Sequence, residues 1–161
     1  MNFIQKRIQQ KKLEQEEQLK SEYSFLMIRV EKYISIIKDD LRDIVDERKN
    51  ISTELIDDFV FHLLTLDSLY NLFLKDLKQE EFTSKRTWNK KIAESAKQKA
   101  EYMHKQKKQY RVEFESIYNN FKRITKGHNF PRRNEILGLM RKAFDFDSSK
   151  YYQKNIVHEI Q

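Results

Sequence analysis

Cysteine is absent from the 161-residue chain, so it has no disulfide framework and no thiolate metal site. Glycine occurs twice, at Gly127 and Gly138, and proline once, at Pro131. A β fold rich in turns needs such residues every few positions, and a phosphate-cradling glycine loop needs several close together. Both are excluded. No run of eighteen apolar residues occurs, so no membrane span is expected. The start, MNFIQKRIQQKK, holds no apolar stretch of the kind a secretory leader carries, and none is expected there. A cysteine-free chain suits a reducing compartment, which makes the cytoplasm the expected location. Catalytic signatures are missing too: there is no Ser/His/Asp order and no zinc-protease motif. The expectation is a non-enzymatic protein without cofactor or metal.

What the chain does have is charge and helical periodicity. Hydrophobic residues make up 39% and charged residues 35%, which allows a core but a thin, elongated one. The net charge of +7 is unevenly placed. Residues 1–84 carry 13 basic and 17 acidic side chains, residues 85–133 carry 15 and 4, and residues 134–161 carry 4 of each. The whole excess therefore sits in one segment.

Apolar residues recur at steps of three and four. In a first helix over about 2–49 the stripe is Leu19, Tyr23, Leu26, Val30, Tyr33, Ile37, Leu41 and Ile44. It fails in QQKKLEQEEQ, residues 9–18, and only Ile4 and Ile8 resume it. A second helix, about 53–81 and capped by Ser52, is the most apolar. Ile56, Phe59, Leu63, Leu66, Tyr70, Phe73 and Leu77 form its seam, and Leu55, Val60, Leu64, Leu69, Leu72 and Leu74 widen it. Such a helix needs neighbours on more than one side and is the expected centre of the fold. A third helix, capped by Thr83 or Ser84 and stopped by Gly127, carries Trp88, Ile92, Ala96, Ala100, Met103, Tyr110, Phe114, Ile117, Phe121 and Ile124 in one sector. Trp88, at the head of this stripe, is expected to anchor the core. Ile136, Leu137, Met140, Ala143 and Phe144 mark a short fourth helix with Pro131 at its start, and Tyr151 to Ile160 a last weak one.

The fold expected is all-α: an elongated antiparallel bundle of three long helices with a small C-terminal helical subdomain. Residues 1–18 form a polar helical arm, 19–126 the three-helix bundle, and 127–161 short helices packing on the end of the third. The third helix is expected to overhang the bundle at 113–126, with the fourth folding back over Phe114, Phe121 and Ile124.

The stretch KQKAEYMHKQKKQYR, residues 97–111, has one acid among its many cations. Non-specific phosphate binding needs a row of cations on a rigid support, because each neutralised phosphate releases counterions. The candidate nucleic-acid-binding residues are Arg86, Lys90, Lys97, Lys105, Lys108, Arg111, Lys122 and Lys126 along the third helix. Arg132 and Arg133, at the start of the fourth, add an anion-binding corner. Tyr102 and Tyr118 are placed to stack on bases. The rival readings are a solvated helix back, an acidic lipid surface, and complementation by the acidic turn Asp39, Asp40, Asp43, Asp46, Glu47, Asp57 and Asp58. Glu101 and His104 have the Glu-x-x-His spacing of di-iron bundles, but such a site needs a second pair and two more carboxylates. Asp58 and His62, four apart, suit a helical ion pair or a core-edge histidine better than a metal. The functional expectation is an adaptor that assembles through coiled-coil faces and contacts nucleic acid through its third helix. The alternative is a scaffold subunit engaged purely in protein–protein assembly. A homo-oligomer is expected in either case.

Overall fold

The computed structural model describes residues 2–47, 49–127 and 129–144, for 15–24 the backbone only. Among the described residues four helices follow one another: α1 (Phe3–Glu47), α2 (Thr53–Arg86), α3 (Lys90–Thr125) and α4 (Arg133–Ala143). There is no strand among the described residues, and the protein is an all-α antiparallel bundle. The expected helix over Tyr151–Ile160 lies outside the described residues.

α2 is the central element, touching each of the other three. Its entry follows from local chemistry: the Ser52 hydroxyl accepts from Leu55 N–H at 3.2 Å, and Glu54 sits in the positive first turn. Phe59, Leu63, Leu66 and Phe73 are fully enclosed. Aromatic rings join residues 59–73 of α2 to the C-terminal half of α3. Phe59 stacks on Phe121 at 5.6 Å, Tyr70 meets Phe114 edge-on at 5.0 Å, and Phe73 meets Tyr110 edge-on at 5.4 Å. α1 lies antiparallel to α2 and parallel to α3, with Asp40 level with His62 and Lys38 level with Glu113. Its buried seam is Met27, Val30, Ile34, Ile37, Leu41 and Ile44, with Leu26 and Tyr33 partly covered. The side chains of Leu19 and Tyr23 lie outside the described ones. Every side chain from Asn2 to Glu14 is exposed, as the polarity of that stretch demands.

Several expectations are corrected. α2 does not stop near residue 81 but runs to Arg86. Thr83 and Ser84 are interior to it, bonding back to the Gln79 and Glu81 carbonyls at 3.0 and 2.8 Å. The cap of α3 is Asn89, whose side chain accepts from Lys91 and Ile92 N–H. Trp88 therefore lies in the connection between helices, 93% exposed, and the buried stripe of α3 starts at Ala96. Nor does α3 overhang. At 34 and 36 residues α2 and α3 match in length, and Phe121 is answered by Phe59.

Gly127 ends α3 with φ of +75°, as its position implies. The chain then returns along the groove between α2 and α3, away from α1. Phe130 packs edge-on to Phe121 at 5.3 Å, and Phe144 stacks on Phe114 at 4.5 Å. Ile136, Leu137, Met140 and Ala143 are buried beneath α4. Ile124 is not covered by α4; it borders the opposite groove with Leu41 and Val45 of α1. Pro131 precedes the helix rather than opening it, because Arg132 takes the left-handed conformation, φ 60° and ψ 21°.

Leu66 tests this packing. It is fully enclosed on the inner face of α2, so Leu66→Ala should cost about 2–5 kcal/mol in urea unfolding. A loss below about 1 kcal/mol contradicts the arrangement.

Candidate nucleic-acid interface

The outward face of α3 follows from its apolar spacing. Ala96, Ala100, Met103, Tyr110, Phe114, Ile117 and Phe121 turn inward, so the residues half a turn away must face solvent. Lys90, Lys97, Lys105 and Lys108 are exposed there, and Lys126 is exposed at the C-cap. Along the axis, Lys90 to Lys108 spans roughly 27 Å and Lys90 to Lys126 roughly 54 Å at 1.5 Å per residue. Lys90, Lys97 and Lys108 form no ion pair among the described residues. The acids nearby are few. Glu94 and Glu101 are exposed on the same side, Glu115 is half-buried, and Glu113 is bound by Lys38 of α1.

The other candidates divide. Arg86 ends α2 rather than belonging to α3, with its guanidinium 5.8 Å from the Phe82 ring centre. A three-residue connection separates it from Lys90 in sequence. Arg111 is half-buried, and the half-buried Lys122 holds its ammonium 5.5 Å over the Tyr118 ring. Tyr118 itself is buried, so it is not available to stack on a base.

Arg132 and Arg133 are engaged by their own chain. Arg132 donates from Nε and Nη2 to the two Glu135 carboxylate oxygens at 2.9 and 2.7 Å, and from Nη1 to Asp57 at 3.2 Å. The fork geometry, the strongest carboxylate pairing available, holds the Glu135 carboxyl below its usual range. It also offsets the left-handed backbone, a conformation that costs a non-glycine residue about 1–2 kcal/mol. Arg133 donates to Thr125 Oγ1 at 2.9 Å and to the Lys122 carbonyl at 3.4 Å. A cation is thereby set on the negative end of α3, where its last carbonyls lack helical partners. This corner is a clasp between helices.

The acidic turn does not face Lys105 to Arg111. With Lys38 level with Glu113, residues Asp39 to Glu47 lie beside the last turns of α3. Asp39 pairs with Arg42 at 3.4 Å, Asp40 with His62, and Asp57 with Arg132. Asp39, Asp40 and Asp57 are thus answered by Arg42, His62 and Arg132 rather than by Lys97, Lys108 or Arg111.

The histidine pairs also resolve differently from their spacing. His104 does not join Glu101; its Nε2 meets the Glu81 carboxylate of α2, an outward tie across the hairpin. His62 turns away from Asp58 to place Nδ1 2.6 Å from Asp40 Oδ2 on α1, with the Tyr33 ring beside it at 6.1 Å. No group of three or more potential metal ligands occurs among the described residues. No described helix is long and apolar enough to cross a membrane.

Periodicity alone does not show Trp88 to be a surface residue. The signal that marks it is Asn89, a strong helix-capping residue immediately after it, which places Trp88 outside α3. No family model, curated protein or solved structure matches this chain.

Asp40 carries a pH dependence. Burial raises its carboxyl above the usual range, and the hydrogen bond from His62 only partly counters this. The folded chain thus holds the Asp40 proton to higher pH than the unfolded chain, whose value is about 3.9. The contribution is full below that value and is lost as pH rises through the folded pKa. Asp40→Asn keeps an acceptor for His62 but cannot ionise. Urea unfolding from about pH 3.5 to 7 should show the wild type losing ground to Asp40→Asn as pH rises. A constant difference rules out this coupling.

Proposed function

We propose that the protein is a non-enzymatic helical adaptor that holds nucleic acid, without sequence preference, through the outward face of α3. The observation supporting this reading is the placement of Lys90, Lys97, Lys105 and Lys108 on the exposed side of one helix. Beneath that segment Ala96, Ala100 and Met103 are buried, and farther along the helix Tyr110 and Phe114 pack on rings of α2. Cations spaced along a supported rod match a polyanion's backbone, and counterion release supplies the binding free energy. Repulsion among these lysines exceeds what the interleaved Glu94 and Glu101 offset and favours an anionic partner for the same reason.

Titration of the purified chain with arbitrary oligonucleotides at several salt concentrations tests this. Affinity should fall steeply with salt, and Lys97→Glu with Lys108→Glu should weaken it. The log–log slope should shrink by about 0.7 to 0.9 for each phosphate that is no longer neutralised. Helical content should not change, since both side chains are exposed. Salt-independent affinity, or no binding near physiological salt, removes the reading.

A second reading, assembly of two copies, is favoured by the outer side of α2. Phe61, Leu64 and Leu72 are 62, 47 and 52% exposed there, with the uncharged Thr65, Ser68 and Asn71 between them. The stripe has Asp57 at one end and Lys75 at the other. Antiparallel pairing about Ser68 sets Leu64 against the partner's Leu72. This face lies away from α3, so assembly and nucleic-acid contact are compatible. Light scattering should give a dimer mass, and Leu64→Lys with Leu72→Lys should halve it. A wild-type monomer at tens of micromolar excludes self-assembly.

A further inference from the structure

The connection between α2 and α3 places an unburied tryptophan at the start of the cationic face. Trp88 is 93% exposed, more than any other large hydrophobic side chain described. Isolated exposed apolar residues are ordinary, so exposure alone decides nothing. Its surroundings are what single it out. Lys85 and Arg86 precede Trp88, Lys90 and Lys91 follow it, and no acid occurs between Phe82 and Ala93.

The backbone that presents the ring is fixed. Thr87 N–H donates to the Thr83 carbonyl at 3.2 Å, Asn89 N–H to Thr87 Oγ1 at 3.4 Å, and the Asn89 side chain caps α3. An indole held on a short, hydrogen-bonded connection loses little conformational freedom on stacking.

We propose that Trp88 stacks on an unpaired nucleobase, so that the α3 face takes single-stranded nucleic acid in preference to duplex. The inference rests on the proposed function and names its substrate class. A base presents an aromatic face, and the cations beside Trp88 suit the flanking phosphates. From Lys90 to Lys108 the helix spans roughly 27 Å, about eight nucleotides at 3.4 Å per strand step. That length lies within the range occupied by single-strand binding modules.

A lipid surface fits less well. Counting back from the Asp40–His62 contact, α1 draws level with the connection near residue 15, so its first turns extend past Trp88. A flat bilayer meets that arm before the indole, whereas a flexible strand reaches the ring from the side.

Trp88 is the single tryptophan of the chain, so its emission reports on this position alone. The full-length protein is titrated at low salt with an oligothymidylate of about twelve nucleotides, a duplex of equal length, and phosphatidylserine vesicles. Single strand should quench the emission and bind more tightly than duplex. Trp88→Ala should weaken single-strand binding by about 5- to 150-fold, with little effect on duplex and with partial recovery in Trp88→Phe. Binding without any change in emission, or equal weakening for both nucleic acids, overturns the stacking while leaving the basic face in place. Failure to bind either nucleic acid overturns both. A blue shift with vesicles, and no response to oligonucleotides, assigns the connection to a lipid surface instead.

Discussion

The ring contacts between α2 and α3 are the constraint on which the rest depends. Phe59 on Phe121, Tyr70 on Phe114 and Phe73 on Tyr110 set the register of the two helices over residues 59–73 of α2 and the C-terminal half of α3. Phe144 then stacks on Phe114, which ties α4 to the same column. An isolated helix with so cationic a face is opposed by its own repulsion, which Glu94 and Glu101, each four residues from a lysine, relieve only in part. Burial of the aromatic side stabilises α3 independently of charge. Its outer face is thereby free to carry cations that local helix energetics alone disfavour.

Charge is distributed around this core in two ways. Near the C-terminus of α3 three cations are engaged by the fold itself. Arg133 answers the helix end, Arg132 binds Glu135 and Asp57, and Lys122 covers Tyr118. Nearer its N-terminus, Lys90 and Lys97 have no such engagement among the described residues. The same asymmetry separates a clasp from an available surface. It also explains why the segment's net charge overstates the number of cations able to meet a partner.

The all-helical class and the centrality of α2 were legible because one seam, Ile56 to Leu77, repeats without interruption. Ser52 and Gly127 likewise act as local chemistry dictates. The boundary between α2 and α3 was not legible from periodicity. Trp88, Ile92 and Ala96 step by four, so the stripe continues in phase across a place where the chain turns. Thr83 and Ser84 suit both a cap and a helix interior, since their hydroxyls bond back to the preceding turn. A boundary near residue 81 shortens α2 and lengthens α3, and the expected overhang at 113–126 follows from that mismatch alone. The cationic face itself was readable from composition. The capture of Arg132 by Asp57, 75 residues away in sequence, was not, because it depends on how α4 returns.

Amide chemical-shift mapping with a single-stranded oligonucleotide tests most directly whether the outer face of α3 is a phosphate-binding surface. Perturbations should concentrate from Trp88 to Lys108 and fade as salt is raised, leaving the outer stripe of α2 from Phe61 to Leu72 unmoved. Shifts centred on that α2 stripe, or none at all at low salt, contradict it.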